Sequence, residues 1–158
     1  MPFIEGCTYD EIEIGQKASY TRTISDEVVR LFAAASGDVN PLHLDEAYAA
    51  GTEFKGRIAH GICTASLISS AIALVLPGPG VLYIAQELRF DRPVRIGDVI
   101  TVELTVTEKL PDKRYVKMSS IARNQIGKTV ITGVTTVRPA AKKERIELPE
   151  EPRFTAVP

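Results

Sequence analysis

The sequence predicts an α+β fold in which one antiparallel sheet curls around one long apolar helix. Three observations carry that prediction. The stretch from His60 to Leu76 is apolar on nearly every side, so something must wrap it. Four strand candidates follow, Val81–Phe90, Val99–Glu108, Arg114–Asn124 and Thr129–Val137. Only short turn-like connections, Leu110-Pro111-Asp112-Lys113 and Gln125-Ile126-Gly127-Lys128, separate the last three, and no helical pattern interrupts them. That argues for antiparallel neighbours and against a doubly wound parallel sheet.

Taken in order, Thr8 to Gly15 is turn-like, and Gln16 to Ile24, rich in Tyr, Thr and Ser, suits an exposed strand. Ser25 has the character of an N-cap, with Asp26 and Glu27 in the first turn where the helix dipole favours carboxylates. Val28, Val29, Leu31, Phe32 and Ala35 form a helical apolar stripe that Gly37 ends in a left-handed cap. Pro41 drives Asn40 out of the α region, which predicts a bent loop carrying Asp38 and His43. Asp45 caps a short helix, Glu46 to Ala50, closed by Gly51. In the strand region Ile100, Val102, Leu104 and Val106 alternate with Thr101, Glu103, Thr105 and Thr107. Residues 1–138 therefore read as one domain. Residues 139–158, with their prolines and the charge run Lys142-Lys143-Glu144-Arg145, read as an extended or disordered tail, or as a linker if the natural chain continues. A lone sheet of this size leaves edges, and pairing with a second copy covers one of them, so at least a dimer is expected.

Composition narrows the function. With 19 Lys and Arg against 20 Asp and Glu, the net charge of −1 offers no basic surface for nucleic acid. The two cysteines, Cys7 and Cys63, lack CxxC spacing and read as reduced thiols of a cytoplasmic protein. Met1-Pro2-Phe3-Ile4-Glu5 has no basic segment before an apolar one, so no secretory signal is expected. Ile58 to Leu76 approaches spanning length, but its His60, Thr64, Ser66, Ser69 and Ser70 fit a core helix rather than a membrane span. No G-x-S-x-G elbow, phosphate-binding loop or His-x-x-x-His pair is present, which disfavours a serine hydrolase, a nucleotide site and a mononuclear metal site.

Chemistry concentrates in Ser36-Gly37-Asp38-Val39-Asn40-Pro41-Leu42-His43 and its echo, Arg57-Ile58-Ala59-His60-Gly61. Asp38 either caps a turn or joins His43 as an acid–base pair that grips a water. Gly61 either relieves crowding where loop meets helix or offers its N–H, with the helix dipole, to a developing negative oxygen. His60 reads as a hydrogen-bonded structural residue. Ser69 and Ser70 lie mid-helix, where hydroxyls bond back to carbonyls one turn earlier.

Asp38-x-Asn40-Pro41-x-His43, followed by Asp45, Ala49, Phe54 and Ile58-Ala59-His60-Gly61, resembles the MaoC-like, R-specific enoyl-CoA hydratase (hydratase 2) family. Gln86, Phe90, Pro93-Val94 and Gly97-Asp98 extend the resemblance, which runs from about Ile14 to Val137. It implies the hot-dog fold and reversible syn hydration of trans-2-enoyl-CoA to (R)-3-hydroxyacyl-CoA. Under it, His43 is the base toward water and Asp38 delivers the proton to C2, with the reverse assignment open. Asn40 positions water and pair, and the Gly61 N–H receives the thioester oxygen. Ser69 matches a pocket-lining position, and Ile68 and Ile72 are candidates for the acyl pocket. Arg89, Arg92 and Arg95 are available to CoA phosphates without being assigned to them. No cofactor is implied, because CoA belongs to the substrate. The competing readings are a hot-dog thioesterase, a non-catalytic acyl-CoA-binding module and a lyase for branched or dicarboxylic enoyl-CoA.

Overall fold

The structure is a computed structural model that describes residues 2–154. Met1, part of the stretch read as carrying no signal, and residues 155–158 of the expected tail lie outside the described residues. The chain runs β1 (Phe3–Glu5), β2 (Lys17–Thr23), α1 (Asp26–Ser36), α2 (Pro41–Leu44), α3 (Glu46–Ala50) and α4 (Gly61–Leu74). It continues through β3 (Leu82–Phe90), β4 (Val99–Leu110), β5 (Tyr115–Arg123), β6 (Thr129–Arg138) and β7 (Arg145–Glu147).

Five strands form one antiparallel sheet in the order β2-β4-β5-β6-β3, and α4 packs on β2 and β4. The alternation along β4 and β5 explains the packing. Ile100, Val102, Leu104 and Val106 point to one face with Val116, Met118 and Ala122, and all are buried. That face meets Leu67, Ile68, Ala71 and Ile72 of α4 in a single core. Each buried aliphatic side chain there contributes about 1.5–3 kcal/mol. The arrangement is the one expected from sequence.

One expectation needs correction, and one alternative is decided. First, α4 is not buried all round: Ile62, Ser66, Ser69 and Ala73 form an exposed stripe at helical spacing. An all-apolar helix in one chain thus has a face that its own sheet does not cover. Second, of the extended or disordered alternatives for the tail, the extended one holds at Arg145–Glu147. Arg145–Glu147 pairs antiparallel with Phe3–Glu5, so the tail returns to the N-terminal strand.

The edge strand β3 is exposed almost throughout, with Leu82, Ile84 and Phe90 among its large apolar side chains. Its contact with β6 depends on Gly133, which pairs with Leu88. A Cβ at Gly133 would stand 2.1 Å from the Glu87 carbonyl oxygen, a backbone atom that cannot swing aside. Gly133→Ala is therefore expected to lift β3 from β6 and destabilise the fold by about 2–4 kcal/mol. Urea unfolding of the variant against wild type measures this.

Candidate active site

Local sequence builds the site at the seam between α1, α2 and α4. Ser25 caps α1 through its side chain, and the N–H of Gly37 closes it on the Ala33 carbonyl at φ 77°, a left-handed conformation that suits glycine. Asp38 follows directly. Asn40 sits at ψ 127°, outside the α region as expected. Pro41, however, opens the one-turn helix α2 rather than prolonging a loop, because proline suits a first helical position and the Asn40 Oδ1 accepts from the Leu42 N–H at 3.0 Å. His43 is therefore helical, a correction to the loop expected for it.

This geometry brings Asp38, His43 and His60 together, each offering a ligand-type atom within 4.8 Å of the others. Asp38 stays exposed, whereas both imidazoles are buried. The Asp38 carboxylate accepts the Asn40 N–H at 3.2 Å, and the Ser36 hydroxyl oxygen accepts the Asp38 N–H at 3.2 Å. The Asn40 amide thus shapes the turn under the carboxylate while its side-chain oxygen caps α2.

Both imidazole tautomers follow from their partners, since a carbonyl only accepts. His43 donates from Nδ1 to the Ile58 carbonyl at 2.8 Å, which leaves Nε2 with a free lone pair. His60 donates from Nε2 to the Asp38 carbonyl at 2.9 Å, and its buried Nδ1 has no partner among the described residues. The two rings stack at a centroid distance of 3.8 Å, and Phe32 meets His60 at 5.0 Å. The two ring planes are inclined by 32°. We read the cluster as acid–base machinery on a histidine platform. His60 has the structural place expected for it.

Ile58 and Ala59 tie this cluster to α2 and to the connection between β3 and β4. The Ile58 N–H reaches the Leu42 carbonyl at 3.4 Å, Ile58 bridges to Arg95, and the next residue, Ala59, donates to the Val94 carbonyl at 2.8 Å. Gly61 then opens α4. His60 provides no side-chain cap, so the N–H groups of the first turn keep their positive end unquenched. Gly61 lines a groove of about 270 Å³ with Phe54, Ile58, Thr64, Phe90 and Val94. A Cβ on Gly61 would come within 3.0 Å of the Phe90 ring, so the expected relief of crowding is real.

Of the other residues singled out in the sequence, Arg92 also lines this groove, whereas Asp38, Asn40, His43, Ile68, Ser69, Ile72, Arg89 and Arg95 do not. Ile68 and Ile72 are 0% and 1% exposed and belong to the core, so neither faces an open acyl pocket in the single chain. Burial inside the sheet's curl is what an apolar helix face does first. Ser69 lies on the exposed stripe of α4. Arg89 pairs with Asp91 at 2.6 Å, Arg92 donates to the Thr129 carbonyl at 2.7 Å, and Arg95 donates to the carbonyls of Gly56 and Phe54. A larger cavity of about 980 Å³ lies between α1, β2 and the tail and holds none of the site residues.

Sequence reasoning missed Arg57. Its Nε donates to the His43 carbonyl at 2.7 Å and its Nη2 to the Asp26 carboxylate at 2.6 Å. Hydrogen bonds from Arg30, and then from Arg57, hold the Asp26 carboxyl below its ordinary value of 3.8. A carboxyl depressed on folding adds stability above its unfolded pKa and loses it as pH falls through the folded one. The stability gap between wild type and Asp26→Asn is thus expected to be full at pH 7 and to narrow below about pH 4. Urea midpoints at pH 7, 4 and 3 test this.

A sheet curled on one helix, with a carboxylate and an imidazole near that helix's N-terminus, defines a hot-dog protein with a carboxylate–imidazole cluster. A family model described as the MaoC-like domain matches residues 9–134, and the chain belongs to that family. It is 45% identical over 134 residues to the (R)-specific enoyl-CoA hydratase of Rhodospirillum rubrum, covering 85% of this chain and 92% of the relative. It is 37% identical over 147 residues to the 3-hydroxybutyryl-CoA dehydratase of Methylorubrum extorquens, covering 93% and 92%. The solved R-hydratase PhaJ1 from Pseudomonas aeruginosa superposes with a TM-score of 0.93 at 50% identity, covering 99% of this chain and 100% of that one. Family and fold were both expected from the Asp38 to Gly61 motifs.

Proposed function

We propose that this protein reversibly hydrates a trans-2-enoyl-CoA to an (R)-3-hydroxyacyl-CoA. The observation that carries the proposal is the pinned tautomer of His43. With Nδ1–H fixed on the Ile58 carbonyl, the free Nε2 shares its cluster with the Asp38 carboxyl. The nitrogen takes one proton from the attacking water as its oxygen bonds C3. Asp38 passes a proton to C2 from the same side, and the imidazole's proton then returns to the carboxylate. Charge gathering on the thioester oxygen meets the Gly61 N–H at the positive end of α4. Relatives named as an R-specific hydratase and a 3-hydroxybutyryl-CoA dehydratase support the two directions of one reaction.

No cofactor enters this scheme beyond the CoA of the substrate. The groove of about 270 Å³ is at the small end of ligand sites, too small to enclose an acyl-CoA. A second copy against the exposed β3 and the Ile62–Ala73 stripe would complete the enclosure, and we propose a homodimer on that basis. Among the described residues no helix is long and apolar enough to cross a membrane. Cys7 and Cys63 are free, and we place the enzyme in the cytoplasm.

Loss of the conjugated thioester absorbance of crotonyl-CoA, with chiral analysis of the product, tests the reaction. The (R)-3-hydroxy thioester is expected. Release of free CoA would make the protein a thioesterase instead.

A further inference from the structure

The Asp38–His43 cluster leaves one group nearby without a role. Arg57 is the side chain that touches both ends of the segment carrying the pair, and it is only 12% exposed. Its Nε holds the His43 carbonyl, and its Nη2 holds Asp26 in the first turn of α1. Ten residues later that same helix ends at Ser36, and Asp38 follows its Gly37 cap. The residue after Arg57 supplies the carbonyl that fixes the His43 ring. Backbone and ring of His43 are thus gripped by two consecutive residues, and the helix leading to Asp38 is gripped by the first of them.

We infer that Arg57 is a positioning residue for hydration: a guanidinium latch that sets the distance between His43 and Asp38 without touching substrate. The inference rests on the hydratase reading. A planar fork is needed because the two acceptors lie on different elements, and one lysine ammonium on a flexible stem does not reproduce a rigid two-ended bridge. Small displacements of a reacting pair are expensive; a misplacement of about 1 Å costs on the order of 10²-fold in rate.

The test compares Arg57→Lys, Arg57→Ala and Arg30→Gln with wild type on crotonyl-CoA. Arg30 is the second cation on Asp26 but has no contact with His43, so it controls for the ion pair itself. Arg57→Lys is expected to lower kcat by about 10- to 100-fold with KM within about twofold and the fold intact by circular dichroism. Added ethylguanidinium is expected to restore part of the rate to Arg57→Ala, and Arg30→Gln is expected to match wild type. Wild-type kcat in folded Arg57→Lys, an equal loss in Arg30→Gln, or loss of folding in both Arg57 variants overturns the inference. Nitrogen-15 NMR of the His43 ring separates this from failure of the hydratase reading. In wild type the Nδ1–H signal is sharp, and in Arg57→Lys it broadens while the His60 Nε2–H signal persists. An unchanged His43 signal overturns the latch even if crotonyl-CoA is not a substrate.

Discussion

Replacing Asp38 with Asn or His43 with Gln is expected to slow crotonyl-CoA hydration by about 10²- to 10⁴-fold, the range of a lost general acid or base. Both substitutions keep the local structure. Asn at 38 still accepts the Asn40 N–H, and the Gln amide at 43 still offers a donor to the Ile58 carbonyl. Thermal stability should move little, because Asp38 is exposed and neither position belongs to the apolar core. If the two groups act as one unit on one water, the double variant loses little more than the worse single. Losses that multiply would mean that the groups serve separate steps. Steady-state kinetics of the three variants, at a pH where wild type is fully active, decides between these outcomes.

Gly61→Pro is expected to have the second largest effect, about 10²- to 10³-fold in kcat, as for removal of one oxyanion donor. The substitution is unusually clean. Proline suits the first position of a helix, where its missing N–H costs no intrahelical bond, and it needs an extended residue before it. His60 already has that conformation, with φ −58° and ψ 133°. The control is Gly61→Ala, which keeps the N–H but brings a Cβ to 3.0 Å from the Phe90 ring. If the donor matters, proline costs far more than alanine. Equal losses would show that space beside Phe90, and not the N–H, is what position 61 provides.

The sheet and the central helix were legible because each rests on a local pattern: alternation in β4, a mainly apolar run in α4, a capping serine and a left-handed glycine around α1. The acid and the imidazole were legible as residue types at short spacing. Their support was not. Arg57 acts across 14 residues to His43 and 31 to Asp26, and no local pattern announces a contact that only the fold creates. Ile68 and Ile72 were ambiguous for a related reason. An apolar helix residue reads the same whether it faces a cavity or a sheet, and both proved to be sealed in the core. The helical placement of His43 was hidden by Pro41, which breaks helices from within but starts them well.

The Ile58 carbonyl has one more consequence. Because it belongs to a segment stitched to α2 at Leu42 and to the β3–β4 connection at Val94 and Arg95, the imidazole it holds is oriented by backbone from two other parts of the fold. The entropy of fixing that ring was therefore spent during folding, before any substrate arrives. Binding should leave the amide of Ala59 as slow to exchange with deuterium as in the free protein. Under the proposed hydration, the imidazole that meets water is then preformed, and the freedom lost on encounter is that of the small molecules and not of this ring.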